Sequence, residues 1–266
     1  MMQANAMVRS LCFLQVKARR SRTSSRGARL GEWIVILFVN ACVRGEKSRT
    51  LVLCRKYLSA RKRAGAQVRE VNLEQMHLVP LSESKVAFRS QLARRGVFED
   101  DIFDPAQQFA DADEIVIGAP YWDLAFPASL KTYIEHVSVD GITFRFTPDA
   151  RYEGLCRAAR ITYITTSGSL LDADASFVPS CAIEPVAIDP AGAYAHRSGF
   201  APAPGRNLGF DYVCAIARMF GIPEVRCASA EGLDIVGVNI NDLMDEGLAR
   251  VDRLLEEDDL LASAAE

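Results

Sequence analysis

E-I-V-I-G-A-P-Y-W-D-L-A-F-P-A-S-L-K, from Glu114 to Lys131, decides how the rest of the chain is read. Ile115-Val116-Ile117 is an apolar run of strand length, Gly118-Ala119-Pro120 ends it, and Pro127 suits the first turn of a helix predicted over 127–136. Between strand and helix lie Tyr121, Trp122, Asp123 and Leu124, an aromatic-rich crest whose backbone amides have neither ladder nor helix to bond to. Such a crest suits a flat ligand with polar edges. The competing reading is a packed turn whose aromatics fill a core or an interface.

Working outward, the same alternation recurs. Trp33–Val39 is a continuous apolar run, as a central strand covered on both faces would be. A helix is expected over 48–64, ending at Gly65, then a strand over 67–71 and helices over 82–95 and 101–110. Beyond the crest come a β-branched strand at 161–165, a helix at 210–220 closed by Gly221, a short strand at 224–227 and an amphipathic helix at 241–257. Five strands alternating with helices predict a doubly wound parallel sheet with helices on both faces. In that class ligands sit beyond the C-terminal ends of the strands.

Composition narrows the field. With 49% hydrophobic residues in 266, the chain can bury a sizeable core as one domain. Seven of its 31 basic residues and none of its 34 acidic ones fall in residues 1–30, so the remainder carries about −10 and nucleic acid is not an expected partner. Residues 1–30 are read as a basic extension outside the domain, which occupies 31–266; a transit peptide is the other reading of that leader. Seven cysteines without a C-x-x-C pair suggest a reducing cytoplasm, and three scattered histidines suggest no metal. No apolar run approaches the roughly 20 residues of a membrane helix, so no membrane partner is expected. From Leu171 to Arg206, five prolines and three glycines argue against regular structure and predict an inserted loop, either a lid or partner-contact segment or an inconsequential insertion.

Three loops follow strand ends. After the first, Arg44, Ser48, Arg49 and Thr50 stand where a helix begins, and a helix N-terminus with hydroxyls suits a phosphate. An ordinary serine N-cap with solvated arginines explains the same residues. After the strand at 161–165, Thr166, Ser167, Gly168 and Ser169 are small enough for backbone amides to approach a ligand, or to form a plain turn. With the crest, these loops offer a phosphate cradle, a ring edge and a ring face, the three contacts a flavin mononucleotide (FMN) needs. No G-x-G-x-x-G or P-loop sequence is present.

Several further motifs join this set. P-Y-W-D-L-A-F-P-A-S-L-K-T-Y-I-E runs from Pro120 to Glu135 and G-I-T-F-R-F-T from Gly141 to Thr147. G-F-D-Y lies at Gly209–Tyr212, M-F-G-I at Met219–Ile222 and A-E-G-L at Ala230–Leu233. Through them the chain resembles the flavodoxin-like FMN-dependent NAD(P)H oxidoreductases, the azoreductases and quinone reductases, over nearly all of 33–255. The resemblance implies a flavodoxin-like sheet of order 2-1-3-4-5. It implies phosphate contacts at Ser48, Arg49 and Thr50, and flavin contacts at Pro120, Tyr121, Trp122, Asp123, Leu124 and Thr166–Ser169. It also implies NADH or NADPH as donor, a quinone or azo acceptor, ping-pong kinetics and a homodimer with shared sites. Phe146, in the place of the family's F-R-Y-T aromatic, lies near the implied substrate position, with Phe126 and Phe144 as further pocket residues. Flavin chemistry needs no catalytic side chain. Asp123 and Leu124 stand where many relatives carry Asn and Phe, and Gly168-Ser169 replaces a common glycine pair. A non-catalytic flavin-binding or redox-partner module, its insertion touching another protein, is the alternative. A response-regulator-like switch would want clustered acids after the first strand, where Val39 and Asn40 stand.

Overall fold

The computed structural model describes residues 33–172 and 205–263. The expected extension at 1–30 and the interior of the expected insertion lie outside these described residues. Strands β1 (Val35–Asn40), β2 (Gln67–Asn72), β3 (Glu114–Gly118), β6 (Arg160–Thr166) and β9 (Glu224–Ala230) form one parallel sheet. Its order is β2-β1-β3-β6-β9, the predicted 2-1-3-4-5 arrangement counted over the sheet's own strands. Two short strands, β4 (Phe144–Phe146) and β5 (Tyr152–Gly154), pair as a separate antiparallel hairpin.

Side chains alternate across the sheet, and each face meets its own helices. Leu37, Val39, Ile115, Ile117, Ile161 and Tyr163 point to one side. There they pack on α4 (Asp104–Asp111), α5 (Ala128–Val137) and α6 (Leu208–Phe220). Ile36, Phe38, Val116 and Ile164 point to the other side, against α1 (Arg49–Arg63) and α7 (Ile240–Ser263). A four-residue α2 (Leu73–Met76) and the capped α3 (Glu83–Arg94) complete the helices among the described residues. Ser82 caps α3 by accepting from the Lys85 amide.

The structure departs from the sequence reading in three places. Trp33 and Ile34, counted into the first strand, precede it and are exposed, Trp33 at 71%. Composition cannot separate a buried strand from an apolar lead-in. The 101–110 helix divides into a single 3₁₀ turn, Asp101–Phe103, and α4, where Pro105 sits at the start and starts a fresh helix. Regular structure was not expected anywhere in 171–206, yet its two ends meet: β7 (Leu171–Asp172) pairs in parallel with β8 (Gly205–Arg206), so the chain leaves and re-enters the fold at one place.

Candidate functional site

The C-terminal ends of β1, β3, β6 and β9 bring four loops together. At the end of β1, Asn40 is 3% exposed, and its side-chain NH2 donates to the Glu70 carboxylate at 2.7 Å while its side-chain oxygen accepts from the Cys42 backbone amide at 2.9 Å. These bonds fix the turn that leads into α1. Ser48 is the N-cap of α1, accepting from the Leu51 amide at 3.3 Å. The amides of Arg49 and Thr50 therefore stand at a helix end without an intrahelical acceptor, beside the positive pole of the helix. Arg44 is exposed at the mouth of this loop. The Thr50 hydroxyl is turned inward, 2.7 Å from that of Thr166 in β6, and so ties two of the predicted loops together rather than facing out.

Beneath the loop lie Cys42 and Cys54, both buried. The Cys54 side chain beside it holds the Cys42 thiol below its usual range, while burial pushes Cys54 up. Gly118, the last residue of β3, is required here: a Cβ would stand 2.5 Å from the Cys54 sulfur and 3.1 Å from the Phe38 ring.

The crest is a tight turn. The Ala125 amide donates to the Trp122 carbonyl at 2.8 Å, and both residues between them have positive φ, 48° at Asp123 and 67° at Leu124. Positive φ at both central positions is the signature of a type I′ turn, normally made by Asn-Gly or Asp-Gly. A leucine held there costs about 1–2 kcal/mol. Trp122, Asp123 and Leu124 are exposed, Leu124 at 63%, so this turn projects its side chains instead of packing them. Pro120 and Tyr121 are half-buried at its base, where the Tyr121 amide donates to the Thr166 carbonyl at 2.9 Å. Desolvation raises the Tyr121 phenol above its ordinary range.

The loop after β6 is zipped to the loop after β9. The Ser167 amide donates to the Ala230 carbonyl, and the amides of Leu233, Asp234 and Gly232 donate back to the carbonyls of Ser167, Gly168 and Ser169. Ser167 also caps its own turn, accepting from the Ser169 amide at 3.2 Å. Two of the amides expected to face a ligand are thus already bonded. The sequence reading passed over Asp234. Its carboxylate lies 2.3 Å from where a Gly168 Cβ would stand, and 3.4 Å from the Arg49 guanidinium, which also donates to the Leu233 carbonyl at 3.4 Å. The space beside Gly168 is thus taken by the Asp234 carboxylate, and the glycine makes room for that side chain.

Of the three pocket phenylalanines, only Phe126 adjoins the crest, edge-on to Tyr212 at 5.4 Å. Phe144 is 8% exposed and stacks on Phe220 at the C-terminal end of α6. The hairpin it belongs to lies at the opposite end of the sheet: the Cys156 amide donates to the Phe220 carbonyl, and a Cβ on Gly154 would collide with the backbone of Phe220 and Gly221. The ten residues of α5, roughly 15 Å of helix, separate it from the crest. Phe146 and Tyr152 stand exposed on that hairpin, 57% and 56%, with ring centroids 5.2 Å apart. One chain does not bring Phe144 and Phe146 to its own loops. A hollow of about 240 Å³ lined by Trp33, Lys62, Gly65, Ala66 and Gln67 also lies at that far end, off the loops.

Comparison with known proteins adds to this geometry. A family model described as flavodoxin-like fold matches residues 35–187. An FMN-dependent NADH:quinone oxidoreductase of Clostridium perfringens is 31% identical over 151 residues, 57% of this chain and 61% of the relative. The chain's match thus spans about three-fifths of that relative's length. A second protein of the same description, from Coprothermobacter proteolyticus, is 23% identical over 84% of this chain and 98% of its own length. Among solved structures, an azoreductase from Bacillus anthracis superposes with a TM-score of 0.62 at 22% identity, covering 83% of this chain and 98% of its own. An FMN-dependent NADH-azoreductase from that species, in complex with FMN, gives 0.59 at 15% identity and has the same fold.

Proposed function

Starting from a chain that belongs to the flavodoxin-like family, we propose that it is an FMN-dependent NAD(P)H oxidoreductase reducing a quinone, an azo compound or a similar small acceptor. The observation that carries this reading is the meeting of three features at one end of the sheet: the open helix N-terminus behind Ser48, the projecting turn at 122–125 and the small-residue loop after β6 that bonds to the base of that turn. These residues fit FMN. Ser48 and the amides of Arg49 and Thr50 would hold the phosphate. Tyr121 to Leu124 would bound the ring edge, and Thr166 to Ser169 its pyrimidine side. When bound, FMN supplies the redox chemistry, taking a hydride from a nicotinamide and passing two electrons to the acceptor in a second half-reaction, hence ping-pong kinetics.

The chain's own contribution is placement and exclusion of water. Trp122 and Leu124 offer flat apolar surface to whichever planar molecule lies on the ring. No side chain is assigned as acid or base. NADH, named in the descriptions of the relatives, is the donor favoured over NADPH. A second copy of the chain completes the site, because Phe146 and Tyr152 are exposed far from their own crest and are free to cover that of a partner. Such a homodimer has two shared sites.

Reconstitution tests the reading. Purified protein supplied with FMN should retain a flavin absorption spectrum through gel filtration, bleach on anaerobic addition of NADH, and recover its colour with benzoquinone. Protein that retains no flavin overturns the proposal. Bleaching without turnover of benzoquinone would instead favour a non-catalytic flavin module.

A further inference from the structure

We infer that Asp234 is an affinity-setting residue of the phosphate site, a carboxylate that competes with the flavin phosphate for Arg49; this rests on the FMN reading above. Arg49 is the first residue of α1, next to the Ser48 cap, so a long flexible cation starts from the turn whose amides would receive a phosphate. That guanidinium is drawn toward the loop after β9 by two acceptors, the Leu233 carbonyl and the Asp234 carboxylate, each at 3.4 Å. The loop carrying them does not drift, because the amides of Gly232, Leu233 and Asp234 all bond to the carbonyls of 167–169. The second carboxylate oxygen lies over Gly168, where any side chain would collide with it.

A carboxylate in this place holds the guanidinium that a phosphate would recruit, and an arriving phosphate meets a like charge beside it. With the mostly exposed carboxylate screened nearly as in bulk water, the penalty amounts to about a tenfold loss of affinity. Asp234 is 76% exposed, so it can swing into solvent when an anion arrives, and the site then releases bound phosphate more readily than the helix terminus alone would. The Ser48 cap and the crest are untouched by this exchange.

The experiment is fluorescence titration of the apoprotein with FMN and, separately, with riboflavin, for the wild type and for Asp234→Asn, Asp234→Ala and Asp234→Glu. Asp234→Asn and Asp234→Ala should each bind FMN about tenfold more tightly than the wild type. Riboflavin, which has no phosphate, should bind all four proteins alike, and Asp234→Glu should keep the wild-type affinity for FMN. Unchanged or weaker FMN binding in the Asn and Ala variants overturns the inference and leaves the flavin reading intact, since Asp234 would then be orienting Arg49. An equal gain for riboflavin also overturns it, placing the effect at the ring. Failure of every protein to bind FMN overturns the flavin reading and this inference together. Thermal melts of the four apoproteins establish that each is folded.

Discussion

The two ends of the sheet are built on opposite terms. At the C-terminal ends of the strands the backbone is strained at Leu124, side chains project at Trp122, Asp123 and Leu124, and backbone bonds join the neighbouring loops. At the N-terminal ends, charge is gathered and buried. Asp258 of α7, 4% exposed, accepts from Arg226 at 2.6 Å and from the Tyr57 hydroxyl at 2.9 Å, and it also pairs with Arg160 and Arg61. Glu114, the first residue of β3, takes both its bonds from Arg61 at 2.8 and 2.9 Å. Burial raises the Glu114 carboxyl above its ordinary range, with Arg61 opposing the shift. One end thus sets charges against charges within the chain and ties α1, β3, β6, β9 and α7 together. The other leaves donors and flat surface for something outside it.

The largest effect should come from the charged end. Asp258→Ala leaves three arginines around a buried hole in the ion cluster, and removing one partner from such a cluster costs about 3–5 kcal/mol. Urea denaturation should show that loss, whereas the FMN affinity of the folded fraction should stay within about twofold of the wild type. A loss below about 1 kcal/mol would mean that the cluster does not clamp these five elements together.

A smaller effect at the same end is read by raising the pH. Burial first, and the Asp258 carboxylate second, push the Tyr57 phenol from 10.0 up to about 12. Because the folded value lies above the unfolded one, the native state holds the proton longer. The associated stability is present below pH 10 and is lost as pH rises through 12, about 2–3 kcal/mol in all. Tyr57→Phe should flatten that alkaline slope, measured as urea midpoints from pH 9 to 12. An unchanged slope would assign it to other groups.

How much of this contrast the sequence disclosed follows from the kind of signal each end emits. The open end was legible: Gly118-Ala119-Pro120, the aromatic crest and the hydroxyls at Ser48 and Thr50 are local features with local causes. The inward turn of Thr50 was not, because its partner Thr166 is 116 residues away. Asp234 was missed for the same reason, an acid in a loop with no periodicity around it. The charged end drew no reading from the sequence. Arg61 looked like one of several basic residues finishing a helix, and the expected last helix stopped at Glu257, one residue short of the carboxylate on which three arginines converge. Phe144 and Phe146 carried a motif but no direction, and only the path of α5 shows that their hairpin lies at the other end.

The finest test of the contrast is at the crest itself. Leu124→Gly converts the Asp-Leu centre of the turn into Asp-Gly, which suits positive φ at both positions. Relief of about 1–2 kcal/mol of left-handed strain, less the 0.5–1 kcal/mol that glycine's extra freedom gives the unfolded chain, leaves a net gain of about 0.5–1 kcal/mol. Leu124 is 63% exposed, so little buried surface is lost with it. The melting temperature should rise by about 1 to 3 °C. If the strain is there to hold Trp122 and Asp123 against a ligand, the same change should weaken FMN binding or slow turnover while the protein becomes more stable, the trade expected of a functional site and of no residue in the Asp258 cluster. A variant that gains stability with unchanged flavin affinity and turnover would reduce the strain at Leu124 to an accident of the turn, and the crest would owe its place in the site to Tyr121 and Trp122 alone.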